Sequence, residues 1–211
     1  MLDYSTLFVF IAAVLVLLVT PGPAVLYIVA RSIDQGRWAG LVSTLGIGMG
    51  TLIHVTAAAL GVSALLVSSV LAFNVVKYVG AAYLIYLGLR RLLTPEQTVE
   101  IKTSQPQKLS RIFSQGVLVN LLNPKTTLFI FAFLPQFVDV TRGSVAMQIL
   151  LLGLIMVTLG IISDGLYALL AGSAGHWLRN NLRFLRAQRY FAGTVFITLG
   201  LVTALSGSKQ K

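Results

Sequence analysis

Two proline-broken sites stand inside otherwise apolar runs: Thr20-Pro21-Gly22-Pro23 and Asn123-Pro124-Lys125. A proline inside a helix removes one backbone hydrogen bond and crowds the preceding turn. In hydrocarbon the freed carbonyl has no water to turn to, so such a break persists only against protein or a wet cavity. Asn123 can cap a new helix, and Pro124 suits its first position, where no N–H is required. Gly22-Pro23 offers the same start, with Thr20 supplying a hydroxyl. Each downstream half-helix then presents free N–H groups and partial positive charge at membrane depth, a natural place for a carboxylate. The carbonyls freed near Leu17, Val19 and Asn120 can receive an ammonium. One break of each kind suits a zwitterion.

Other residues add chemistry around the breaks. Gly116, Asn120 and Asn123 fall at i, i+4 and i+7, which gives one helical face close approach and two amides. Asp164 is the one acid inside an apolar run, and an intramembrane carboxylate is a functional-site candidate by default. Gly153, Val157 and Gly160 before it and Tyr167 after it form a small-residue face turned inward. Asp164 can carry a proton or counter a guest ammonium; the structural alternative is a fixed ion pair with Lys125. His54 follows Gly46 and Gly50 at four-residue spacing. Imidazole can relay protons, while the plainer role is an interior hydrogen-bonded residue. The glycine-lined faces allow close helix contact and permit a homodimer.

The elements that must position these residues are membrane spans. Of 211 residues, 56% are hydrophobic and 10% charged, where a soluble domain carries roughly 25% charged. A crossing helix needs about 20 residues, and six segments qualify: 4–33 (broken), 38–66, 71–93, 111–135 (broken), 144–175 and 187–206. The expected fold is therefore an all-α integral membrane protein of six spans. The polar stretch 94–110 divides a first half, 1–93, from a second, 111–206. The net charge of +10 lies in loops rather than on amphipathic or aromatic-interleaved motifs, which argues against nucleic-acid binding. Eleven basic residues fall on one side of the six spans and four on the other, with Lys125 inside a span. The positive-inside rule puts the eleven in the cytoplasm and both termini outside. A five-span reading, with one segment re-entrant, reverses the N-terminus. There is no cysteine, so disulfides and thiolate metal sites are excluded, and no cofactor or metal motif is present.

Segments three and six align without gaps at an offset of 112, with Tyr78, Ile85, Leu87, Gly88 and Leu89 over Tyr190, Ile197, Leu199, Gly200 and Leu201. Segments one and four, the openers of each half, both carry a proline break. Three spans per half gives the halves opposite orientations, the inverted arrangement that commonly underlies alternating access, with the guest site at the broken helices.

The chain resembles the LysE/RhtB superfamily of bacterial amino-acid exporters over nearly its whole length. The resemblance rests on Thr20-Pro21-Gly22-Pro23, the Gly-rich second span and Phe113-x-x-Gly116-x-x-x-Asn120-Leu-Leu-Asn123-Pro124-Lys125, with Leu134-Pro135-Gln136-Phe137 and Asp164. It implies an inner-membrane secondary transporter that exports amino acids from the cytoplasm, driven by protons. The layout is closer to the RhtB-like branch, which implies a neutral substrate of the homoserine, threonine or leucine kind. Its substrate-binding candidates are the residues of both breaks with Gly116 and Asn120, and its proton-coupling candidates are Asp164 and His54. A channel shares the half-helix chemistry without the coupling. A membrane-embedded enzyme lacks support, because no two-histidine zinc motif, paired carboxylates or Ser/His set on one face is present. A scaffold would need larger polar loops.

Overall fold

The computed structural model describes residues 3–68, 70–93 and 107–180, with scattered positions from 186 to 204. Among the described residues every regular element is a helix, and no strand is present. The first expected span is α1 (Tyr4–Val19) followed by α2 (Pro23–Gln35), bent by 50° at the break. The second and third are α3 (Arg37–Ser68) and α4 (Val70–Leu93). The fourth is α5 (Leu109–Leu121) and α6 (Pro124–Phe137), bent by 52°. The fifth is α7 (Val145–Asn180). Most of the 94–110 linker and of the 187–206 segment lies outside the described residues.

By length and composition, two single helices among the described residues are able to cross a membrane, over Arg37–Gly61 and Val145–Ala171, and the number rises to four when each bent pair is taken as one span. Burial agrees with lipid as the solvent. Phe8, Leu60 and Leu122 are exposed, whereas Thr51, His54, Asn120, Asn123 and Asp164 are buried. A polar interior under an apolar exterior is the arrangement a hydrocarbon surround selects.

α3 lies at the centre, packed on α7, α5 and α2. Glycines set the closest approaches: a Cβ on Gly46 would lie 2.3 Å from the Phe113 carbonyl oxygen, and one on Gly116 2.9 Å from that of Ser43. Gly46 and Gly116 are thus used in packing within the chain. Two apolar clusters frame the interior. The larger joins Phe10 and Leu17 of α1, Val55 of α3, Phe129 and Phe133 of α6 and Met156 of α7. The smaller joins Ala24 and Ile28 of α2 with Ile47 and Ala168.

α6 differs from the regular half-helix expected. It opens as an α-turn, widens to π geometry over Phe129–Phe133 and tightens to 3₁₀ over Leu134–Phe137. Pro135 supplies the reason, since it has no N–H for the carbonyl four residues back and crowds that turn. The Gln136 side chain donates to the neighbouring Ala132 carbonyl at 2.8 Å. Beyond α6, the Thr141 hydroxyl and amide both donate to Asp139 and hold its carboxyl below the ordinary range, with Arg142 adding its charge.

α4 packs antiparallel against the helical positions near 193–200 through reciprocal contacts. A Cβ on Gly88 would lie 2.5 Å from Ile197 Cγ1 and 2.7 Å from the Gly193 carbonyl oxygen. A Cβ on Gly200 would lie 2.7 Å from Ile85 Cγ1 and 2.8 Å from the Ala81 carbonyl oxygen. Residues 88 and 200, 85 and 197, 81 and 193 are each 112 apart. Swapping the partners therefore returns the same contact pattern, as a local two-fold axis requires.

Candidate functional site

Every carbonyl orphaned by a break proline has a donor reaching to it from another element. Pro21 frees the carbonyl four residues back, Leu17, which accepts from Lys125 Nζ at 2.5 Å. Lys125 Nζ also donates to the Thr20 carbonyl at 2.5 Å. Pro23 frees that of Val19, which accepts from the Tyr167 hydroxyl at 3.1 Å. Pro124 frees that of Asn120, which lies 3.3 Å from His54 Nε2 and also accepts from the Asn123 amide at 3.0 Å. A carbonyl can only accept, so Nε2 carries the proton in that contact. The three freed carbonyls expected from the sequence are therefore the right ones, but the chain's own Lys125, Tyr167 and His54 engage them.

The N-terminal sides of the breaks differ. At the second, Asn123 caps α6 by accepting from the Lys125 amide at 3.1 Å, as expected. At the first, Thr20 is not the cap: its hydroxyl turns back to the Val16 carbonyl at 2.8 Å, and Gly22 stands at the cap position of α2 with no side chain to offer. The amides of Ala24 and Val25 precede the first intrahelical bond of α2, from Leu26 N–H to the Gly22 carbonyl at 3.0 Å. The open half-helix terminus is thus that of α2.

Asn120 and Asn123 are tied into a buried network with two threonines that the sequence pattern does not single out. Asn120 Nδ2 donates to the Ile47 carbonyl at 2.9 Å and to Thr51 Oγ1 at 2.8 Å. Its Oδ1 accepts from Thr126 at 3.0 Å, and Thr126 accepts from Asn123 Nδ2 at 3.1 Å. The signal for Thr126 is its place in the first turn after Pro124; for Thr51 only the fold supplies it. Asn123→Ala is expected to remove the α6 cap and cost about 1–2 kcal/mol, lowering the melting temperature in detergent by about 2–8 °C. Unchanged substrate affinity in that variant would mark the break as architectural.

A cavity of about 50 Å³ lies between the breaks. On that measure a single water needs about 10–15 Å³, so the space has room for a few waters, with polar groups set in a mostly apolar wall. Its wall includes Gly22, Ala24 and Val25 from the first break, Asn120, Asn123 and Lys125 from the second, and Gly160 and Asp164 from α7. Asp164 is 6% exposed, and Lys125 is the opposite charge it feels. Thr20, Pro21, Pro23 and Pro124 shape the breaks without lining the cavity. Gly116 sits at the α3–α5 crossing, against Ser43 and Gly46. His54 stands behind the second break, beside Thr127 and with the Phe131 ring at 5.8 Å. Metal-binding groups of three or more His, Cys, Asp or Glu are absent among the described residues.

Two bent, broken helices that face each other across a cavity holding Asn120, Asn123, Lys125 and Asp164, inside an apolar helical shell, are the architecture of a membrane translocator. The chain belongs to the LysE type translocator family, whose sequence profile matches residues 15–207; it is a transporter and not an enzyme. A homoserine/homoserine lactone efflux protein of Salmonella typhimurium is 29% identical over 198 residues, covering 93% of this chain and 95% of the relative. A leucine efflux protein of Salmonella choleraesuis is 30% identical over 202 residues, covering 93% and 92%. An uncharacterized membrane protein of Vibrio cholerae serotype O1 is 29% identical over 203 residues, covering 96% and 98%. No solved structure matches the chain.

Proposed function

We propose that the protein exports neutral amino acids from the bacterial cytoplasm across the inner membrane by proton antiport. The observation that carries this reading is a cavity whose wall holds the open terminus of α2, the Lys125 ammonium and the Asp164 carboxylate together. The α2 amides and Lys125 receive the substrate carboxylate, and Asp164 receives its ammonium or a proton in turn. The names of two relatives support the class of cargo. Homoserine and its lactone share an ammonium but not a carboxylate, so a protein that handles both must read the ammonium, the role that falls to Asp164.

In this reading residues 1–93 and 111–206 are inverted halves joined by a cytoplasmic linker, 94–110, with both termini periplasmic. The matched bends of 50° and 52° and the reciprocal contacts at an offset of 112 support it. The test is efflux from proteoliposomes loaded with one labelled neutral amino acid, with each of the twenty amino acids as competitor, with and without a pH gradient. Export accelerated by an inward proton gradient, with competition by homoserine, threonine or leucine, is the expected result. Flux indifferent to the gradient would mean a channel; no flux would refute the transporter of amino acids.

A further inference from the structure

Lys125 belongs to the second half, yet both carbonyls its ammonium bonds, Leu17 and Thr20, belong to the first half's break. They lie at the C-terminal end of α1, where the helix dipole adds negative potential. The lysine stem passes over Gly22, where a Cβ would lie 3.3 Å from Lys125 Cδ and 3.7 Å from Nζ. Asp164 adds a carboxylate on the same cavity wall. Carbonyl oxygens at a broken helix with an acid nearby are the ligand set of a small hard cation. A primary ammonium, with three N–H donors and one charge, fills such a site as an ion would.

We propose that the Leu17 and Thr20 carbonyls form a monovalent-cation site whose resident ion is the tethered ammonium of Lys125, and that cutting the tether opens the site to a free small cation. The tether crosses from one half to the other, so it pins the two breaks together. Its consequence for transport rests on the exporter reading: the ammonium must leave these carbonyls before the halves can rock. The charged and titratable groups around it are Asp164 and Tyr167 from α7, with His54 from α3 behind the second break. The first break itself supplies carbonyls, the Thr20 hydroxyl (turned back to the Val16 carbonyl) and apolar side chains, none of them titratable.

The test is thermal unfolding of the detergent-solubilised full chain at constant ionic strength, with choline replaced stepwise by sodium or methylammonium. Lys125→Ala is expected to be stabilised in a saturable way, by at least about 3 °C at the highest concentration. Wild type, whose site is filled, and Lys125→Met, whose apolar tail fills the same space, should not respond. A Lys125→Ala chain that behaves alike in every cation, folded or aggregated, overturns the proposal. So does an equal response in Lys125→Met, which would mark a general salt effect. Flux through wild-type proteoliposomes tests the exporter reading separately, so failure of one leaves the other standing.

Discussion

Gly46→Ala is expected to separate α3 from α5, and no second substitution on the facing helix should restore them. The added Cβ would stand 2.3 Å from the Phe113 carbonyl oxygen and 3.2 Å from Gly116 Cα. Backbone cannot rotate aside as a side chain can, so the helices must move apart along a crossing that also holds Gly50 against Asn120. Overpacking costs about 1–3 kcal/mol and occasionally more; against backbone, the upper end or beyond applies. The melting temperature should fall on the order of 10 °C. Gly153→Ala is the contrasting case. Its Cβ would lie 2.1 Å from Val55 Cγ1 and 2.6 Å from Val55 Cγ2, both side-chain atoms. Trimming Val55 to alanine removes the two nearest atoms and leaves only its Cβ, at 2.9 Å, so Gly153→Ala/Val55→Ala should be more stable than Gly153→Ala alone, with a coupling of at least about 1 kcal/mol. Thermal unfolding of the four variants measures it; additive losses at 153 and 55 would show that the pair does not meet.

Proline positions alone make the breaks legible in the sequence. A missing N–H at residues 21, 23 and 124 points by simple counting to the carbonyls of Leu17, Val19 and Asn120. What counting along the chain cannot supply is the donor, because Lys125, Tyr167 and His54 each arrive from a different helix. Their arrival depends on how α3, α6 and α7 cross α1 and α5, a property of packing rather than of local sequence. The face Gly116–Asn120–Asn123 shows the same limit. Its periodicity is real, but one end of it meets α3 backbone and only the other reaches the cavity.

The two breaks look alike in sequence, each with a plausible capping oxygen. Asn123 caps because its short amide reaches forward to the Lys125 amide. Thr20 does not, because a threonine at a helix C-terminus has the carbonyl four residues back within easier reach, and Val16 takes its hydroxyl. That choice leaves α2 uncapped and gives the cavity an open helix terminus. Pro135 is also visible, yet the widened turn over Phe129–Phe133 is not, because a proline announces a disturbed ladder without fixing which geometry relieves it.

Asp164→Asn is expected to abolish gradient-driven efflux while the protein still folds and inserts. The substitution keeps the shape of the side chain and removes both its charge and its proton exchange. Lys125 stays held by the Leu17 and Thr20 carbonyls, so the buried ammonium is not stranded when Asp164 is neutralised. The melting temperature should therefore move by only a few degrees. Substrate binding should suffer far more, because a desolvated charge pair whose one partner is removed costs about 2–5 kcal/mol. That corresponds to roughly 30-fold or greater loss of affinity. The loss should be as large for an ammonium-bearing lactone as for the zwitterion, since both present the same group to Asp164. An acid that merely braces α7 would give the opposite pattern: lowered stability, with efflux per folded molecule still accelerated by the proton gradient. Retained gradient coupling in proteoliposomes of the folded Asp164→Asn variant would remove Asp164 from the coupling step and shift that role to Lys125, the other ionisable group on the cavity wall.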